Sequence, residues 1–237
     1  MRNERSCIDA KDLRLQTEDG TLWSNITFAL DVGQQVLLTG LTPAARTVLL
    51  RMIAGLKTFD TGSIFLWNKP ITEFDRHWLS AHVRYITSRD RPGFSFPVQE
   101  FISKGCEFRL RPLRTPDKEE VALAQIIMKD LELTHLARRD CSQLGKSDSL
   151  RVSVAQAMIC QPALLLIDDP LDEISEDIRG ILLRYFTRQA ASGRTIVMTG
   201  HGTDHLISTR LEIANLDDHA VLEKKGEPKQ QVNKFIF

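Results

Sequence analysis

The sequence contains no run of the roughly 18 apolar residues that a bilayer-crossing helix needs, so a role at a membrane would go through a separate partner. Its opening residues carry charge with no apolar stretch behind them, and no secretory signal is expected. Neither sign of charge is in excess: 31 Lys and Arg balance 31 Asp and Glu. No long-range field then draws nucleic acid or anionic lipid, and no nucleic-acid partner is expected. Cysteine is scarce. Cys7, Cys106, Cys141 and Cys160 show neither C-x-x-C spacing nor a pairing pattern, which leads us to expect reduced thiols in a cytosolic protein. Internal repeats and low-complexity tracts are missing as well. What is there, 237 residues with 42% hydrophobic and 26% charged side chains, excludes a disordered or fibrous chain and suits one large domain, or a domain with a smaller lobe.

Apolar and polar residues alternate over residues 8–16 and again over 23–30, with Asp19-Gly20 between them, which predicts an antiparallel hairpin. Residues 35–40 form a short apolar run ending in Gly40; Val48, Leu49, Met52 and Ile53 then recur at helical spacing, predicting a helix over 46–56. A buried strand thus feeds a helix through a loop. Residues 63–67 read as a further strand, closed by the turn Asn68-Lys69-Pro70. Prolines break up the phenylalanines between residues 89 and 117, indicating an irregular, mostly helical insertion. Two amphipathic helices follow, over 118–133 (Val121, Ala124, Ile127, Met128 and Leu131 on one face) and 149–160. The unbroken apolar run at residues 163–167 fits a strand buried on both faces of a parallel sheet; a helix over 176–191 and a strand over 195–199 come next. Strands alternating with helices predict an α/β fold, and residues 223–233 read as a mobile polar tail.

A phosphate-binding loop hands a strand to a helix N-terminus through small residues whose backbone N–H groups face the phosphate. Here the pattern G-x-x-x-x-G-K-[ST] becomes Gly40-Leu41-Thr42-Pro43-Ala44-Ala45-Arg46-Thr47, with Ala45 for the second Gly and Arg46 for the Lys. Taken alone this is also an ordinary strand-to-helix turn. Asp168-Asp169-Pro170 ends the apolar strand in the manner of a Walker B motif, whose first carboxylate holds magnesium and whose second orients the attacking water. A polar turn is the plainer alternative. His201 follows the next strand, where a γ-phosphate-sensing histidine would sit, although a histidine there is often structural. His205 lies four residues on, but no third ligand supports a metal pair.

Together these segments resemble the ATP-binding-cassette (ABC) ATPase family over residues 8–220. The resemblance rests on the approach at 32–40, the helix Leu49-Leu50-Arg51-Met52-Ile53-Ala54-Gly55-Leu56, the turn and strand Asp60-Thr61-Gly62-Ser63-Ile64, the helix Arg151-Val152-Ser153-Val154-Ala155-Gln156-Ala157, and residues 162–170. It implies a P-loop NTPase-like fold: a mostly parallel core with an antiparallel β subdomain (8–88 and 160–220), a helical signature lobe (89–159) and a tail (221–237). ATP and magnesium are the implied cofactors. Residues 40–47 would bind nucleotide, Thr47 and Asp168 the metal, and Asp169 and His201 would serve catalysis. Only Gly40, Thr47, Asp168 and His201 match the family's functional consensus outright.

The departures have physical consequences. Thr17 stands where the family stacks an aromatic on adenine. Pro43 has no N–H to give to phosphate, and the planar fork of Arg46 is bulkier than an ammonium. Ser88 is too short for the reach of the Q-loop glutamine. Leu144-Gly145-Lys146-Ser147-Asp148 replaces L-S-G-G-Q, Asp169 replaces a Glu, and Ser175 replaces the D-loop aspartate. The resemblance implies a subunit that couples ATP binding and hydrolysis to transport, with weakened catalysis. Its partners would be a transmembrane permease and a second ABC ATPase subunit, identical or different, and it would be cytoplasmic and peripheral on the inner face of the membrane. The alternative is an inactive pseudo-ATPase that regulates or supports an intact subunit. A soluble ABC protein of translation or DNA repair fits less well, because such proteins carry two cassettes or long insertions. Phe94, Phe96 and Phe101, in a segment resembling the family's F-x-V-x-E entry to the helical lobe, would line a groove for the membrane partner; residues 100–109 resemble importers of metal chelates without naming a substrate.

Overall fold

The N-terminal alternation folds as expected. Strands β1 (Ser6–Gln16) and β2 (Leu22–Asp31) pair antiparallel, and β4 (Ser63–Leu66) and β5 (Lys69–Pro70) extend that sheet in the order β2-β1-β4-β5. The structure is a computed structural model that describes residues 5–16, 18, 22–87, 95–106, 115–168, 174–200, 209–213, 220–224 and 230–231. Its second sheet is built from β3 (Gln35–Thr39), β6 (Val83–Thr87), β7 (Leu164–Asp168), β8 (Thr195–Thr199), β9 (Thr209–Ile213), β10 (Ala220–Lys224) and β11 (Gln230–Gln231). The order is β11-β10-β9-β3-β8-β7-β6, with β6, β7, β8, β3 and β9 parallel and the last two strands antiparallel.

That arrangement explains the apolar runs. Leu164 and Leu166 of β7 belong to one buried cluster with β1, β2 and the helix α1 (Pro43–Ile53); Leu165 and Ile167 belong to another with the helical segments. Both faces are covered, so alternation would have exposed nothing to water. The second cluster joins α3 (Val98–Ser103), α4 (Lys118–Asp130), α5 (Lys146–Met158) and α6 (Glu176–Ala191); the short α2 (Arg76–His82) leads into β6. A capping box, Asp117 with Glu120, starts α4. Its inward face is Ala124, Ile127 and Met128 as expected, but Val121, in the first turn, stays exposed. The short α3 gives only six residues to cover α4.

Two further expectations are corrected. Part of the polar tail is ordered: β10 pairs with β9 and β11 with β10. The backbone donors and acceptors of the β9 edge set that pairing, and polar side chains do not reveal it. The cysteines are not all free thiols either. Cys106, after α3, and Cys160, after α5, form a disulfide with Cα atoms 5.4 Å apart, while Cys7 and Cys141 are free and buried. The pairing joins residues 54 apart that only the packing of α3 on α5 brings together.

Candidate nucleotide-binding site

The parallel strands β3, β8, β7 and β6 end on one edge of the sheet, where α/β folds place ligands. Gly40, the residue after β3, has φ +89°, and a Cβ there would lie 2.2 Å from the Ile213 carbonyl oxygen at the end of β9. Only glycine fits. The chain turns through buried Leu41 and exposed Thr42, and α1 begins at Pro43 rather than at residue 46. Thr42 is the N-cap. Its hydroxyl accepts from the Ala45 N–H at 3.3 Å and its carbonyl from the Arg46 N–H at 2.9 Å. Pro43 sits at the first helical position, where a missing N–H costs nothing. Residues 43–45, expected to be loop, are therefore wound into the first turn of the helix, and amides that a phosphate would need are spent within it.

Arg46 turns inward. It is 1% exposed, and its Nη1 donates to the Gly200 carbonyl at 2.9 Å, just beyond β8. Ala45 is fully buried in the cluster beneath, whereas Pro43 and Ala44 are exposed. The sequence-predicted metal residues do meet: Thr47 Oγ1 donates to Asp168 Oδ2 at 2.6 Å. Tyr85, which sequence reasoning missed, donates its hydroxyl to the same oxygen at 2.8 Å. No local pattern signals it, because its place follows from β6 lying parallel beside β7.

At the signature position Gly145 caps α5, and Lys146 begins it. Asp148 pairs with buried Arg151, which also donates to the Leu131 carbonyl at 3.1 Å. Ser175 is the N-cap of α6. Of the aromatic trio, Phe101 packs against the lobe core, so its replacement by Ser would weaken the lobe itself; half-buried Phe96 has the Lys104 ammonium 5.2 Å from its ring centroid. Asp169, Pro170, His201, His205, Thr17, Ser88 and Phe94 lie outside the described residues. Among the described residues no group of three or more His, Cys, Asp or Glu gathers to hold a metal.

The two halves of the site differ in fit. Thr47 and Asp168 offer the hard oxygen donors that magnesium takes. The phosphate cradle does not fit a polyphosphate in this conformation, because the Ala45 and Arg46 amides bond to Thr42 and the Arg46 guanidinium points to Gly200.

A sequence profile described as "ABC transporter" matches residues 23–172, well over half of the chain. This chain belongs to the ABC transporter family. An uncharacterised ABC transporter ATP-binding protein of Haemophilus influenzae is 28% identical over 167 residues, covering 70% of this chain and 64% of that protein. The spermidine/putrescine import ATP-binding protein PotA of Escherichia coli K12 is 26% identical over 227 residues, covering 95% of this chain and 56% of PotA. The chain thus spans about three-fifths of the length of these curated relatives. The fold is that of the ABC ATPases. The cbiO1 subunit of the Clostridium perfringens cbiONQ transporter complex superposes with a TM-score of 0.74 at 19% identity, over 88% of this chain and 84% of cbiO1. An ATP-binding cassette of an ABC transporter in its ADP conformation gives 0.73 at 18% identity, over 87% of each chain. ABC ATPases bind ATP, typically with magnesium, and those of transporters work with membrane permease components. Among the described residues, no helix of this chain is long and apolar enough to cross a membrane.

Proposed function

We propose that the chain is the ATP-binding subunit of an ABC membrane transporter in which nucleotide binding and hydrolysis are weakened. It works beside a transmembrane permease and a second ABC ATPase subunit, at the inner face of the membrane. One observation carries the reading: α1 starts at Pro43, with Thr42 capping it and Arg46 bonded to Gly200. Nucleotide binding at residues 40–47 would require the first turn of α1 to unwind and the guanidinium to leave a buried site. Lost positioning groups each typically cost a few kcal/mol of transition-state stabilisation. Several lost together leave hydrolysis slow.

In this reading residues 8–88 and 160–220 make the nucleotide core with its β subdomain, and 89–159 the helical lobe. Thr47 and Asp168 hold magnesium, while Asp169 and His201 stand at the catalytic positions. Each composite site takes its Walker residues from one subunit and its signature from the other. A weakened chain paired with an intact one therefore leaves a working site in which it supplies the signature segment, Gly145-Lys146-Ser147. The fully inactive scaffold is the second reading, favoured by the Ala45 and Arg46 amides that bond to Thr42 in place of a phosphate.

Titration of the pure protein with labelled ATP and magnesium separates the two. Binding at millimolar ATP supports the weakened subunit; none supports the scaffold. Hydrolysis that rises in Asp169→Glu and Arg46→Lys marks a latent ATPase. Failure of the chain to co-purify with any permease or second cassette from its native membrane would contradict both.

A further inference from the structure

Cys106 closes the turn after α3, and Cys160 the turn after α5. Packing alone brings these turns close. Gly105 lies so near α5 that a Cβ on it would sit 2.2 Å from the Gln156 carbonyl oxygen, so no larger residue fits. A second contact involves a charge. Arg84, on β6 and 3% exposed, donates through Nη2 to the Gly105 carbonyl at 3.1 Å and also to the Cys160 sulfur. A single buried guanidinium therefore grips both cysteine-bearing turns.

A disulfide sulfur is a poor acceptor, whereas a thiolate makes a strong, charge-assisted bond to a guanidinium. Arg84 is thus matched to Cys160 in its reduced, ionised form better than to the disulfide it touches, and a link needed only for stability has no use for a cation at one sulfur. Cys106 and Cys160 also keep partial exposure, while Cys7 and Cys141 are buried and their thiols are pushed up to about 11. The four cysteines fall into a reactive pair and an inert pair.

We propose that Cys106 and Cys160 are a reversible dithiol–disulfide couple oxidised by hydroperoxides, with Cys160 the attacking thiolate, Cys106 the resolving thiol and Arg84 the positioning group. The Cys160 thiolate attacks one peroxide oxygen, the O–O bond breaks, and hydroxide leaves, giving a sulfenic acid. The Cys106 thiol then attacks that sulfur; the S–O bond breaks and the hydroxyl departs as water with the thiol proton. In sum two thiols and one hydrogen peroxide give one disulfide and two waters. A dithiol reductant reverses the bond by two exchanges, becoming a disulfide itself. Oxidation adds a covalent tie between the α3 turn and α5, and reduction leaves the two held by the Arg84 bonds and the Gly105 packing alone.

The test uses the full chain, reduced with dithiothreitol, desalted and exposed to hydrogen peroxide. Remaining thiols are alkylated and located by peptide mass spectrometry. One linked peptide pair, Cys106 with Cys160, should form and revert with dithiothreitol, while Cys7 and Cys141 remain thiols. In Cys106→Ser, dimedone should trap a sulfenic acid on Cys160. Arg84→Gln should slow oxidation severalfold, because the loss of thiolate outweighs the partly compensating gain in its nucleophilicity, read on protein whose circular dichroism matches wild type. Should Arg84→Gln fail to fold, Arg84→Lys is read in its place, with a smaller slowing expected. No linked pair, a sulfenic acid that forms on Cys106 in Cys160→Ser at the wild-type rate, or an unchanged rate in the folded Arg84 variant would overturn the proposal.

Discussion

Replacement of Gly40 by Ala tests the geometry on which the site rests. Gly40 has φ +89°, and its Cβ would meet the Ile213 carbonyl oxygen at 2.2 Å, with the carbonyl carbon at 2.8 Å. The left-handed backbone costs an L-residue about 1–2 kcal/mol, and forcing a methyl into close-packed backbone adds about 1–3 kcal/mol. The obstacle is backbone of β9, held in the parallel pairing of Leu38 with Leu211 and Thr39 with Glu212, so it cannot swing aside as a side chain would. A total of about 2–5 kcal/mol at a chain of this size lowers the melting temperature by roughly 5–15 °C. The assay is thermal denaturation of wild type and Gly40→Ala without nucleotide, followed by circular dichroism. The loss is expected in the free protein, because the glycine answers to β9 and not to phosphate. A melting temperature within about 1 °C of wild type would refute the close approach of β3 and β9.

Gly145→Ser gives the expected counter-case: among the described residues no atom beyond its chain neighbours lies within 4 Å of its Cβ, and a Ser at this N-cap adds a side-chain acceptor for the first turn of α5. A gain of a few tenths of a kcal/mol in urea unfolding is predicted. Tyr85→Phe removes a donor to the Asp168 carboxylate and should cost about 1–2 kcal/mol by the same measurement, with Thr47→Ala acting non-additively because both bond one oxygen. Burial raises the Cys7 thiol from 9.0 to about 11, partly offset by a hydrogen bond with Thr195, and raises Cys141 to about 11 with help from the Asp140 charge. Unfolded thiols ionise first, so the unfolded state binds fewer protons between pH 9 and 11 and stability falls as pH rises through that window. Denaturant titrations across it should show the fall, and Cys7→Ala should flatten part of it.

The parts of the fold that were legible in the sequence are those where side-chain pattern and burial coincide. Leu164 to Ile167 read as a strand covered on both faces because alternate residues enter two different cores. The start of α1 was placed at residue 46 instead of 43 because the residues after Gly40 were read as a phosphate loop, although Thr42-Pro43 is a cap followed by a proline at the first helical position, itself a start signal. Thr47 and Asp168, read from the sequence as metal residues, lie in hydrogen-bond contact; Tyr85 was missed, since its role depends on which strand lies beside β7. Strands β10 and β11 and the Cys106–Cys160 pair escaped for the same reason: each depends on long-range packing that leaves no local period.

The central claim, which rests on the proposed function, is that the cap at Thr42 and the inward Arg46 weaken nucleotide binding in a fold built to hold it. Thermal unfolding with and without millimolar magnesium ATP, on wild type and on the triple variant Pro43→Gly, Ala45→Gly, Arg46→Lys, tests it most directly. A ligand at a hundred times its dissociation constant stabilises by about 2.7 kcal/mol, a shift of several degrees here. The account predicts a small shift in wild type that needs millimolar ATP and a larger one, reached at lower ATP, in the variant. A wild-type shift as large as the variant's, saturating at micromolar ATP, would contradict it.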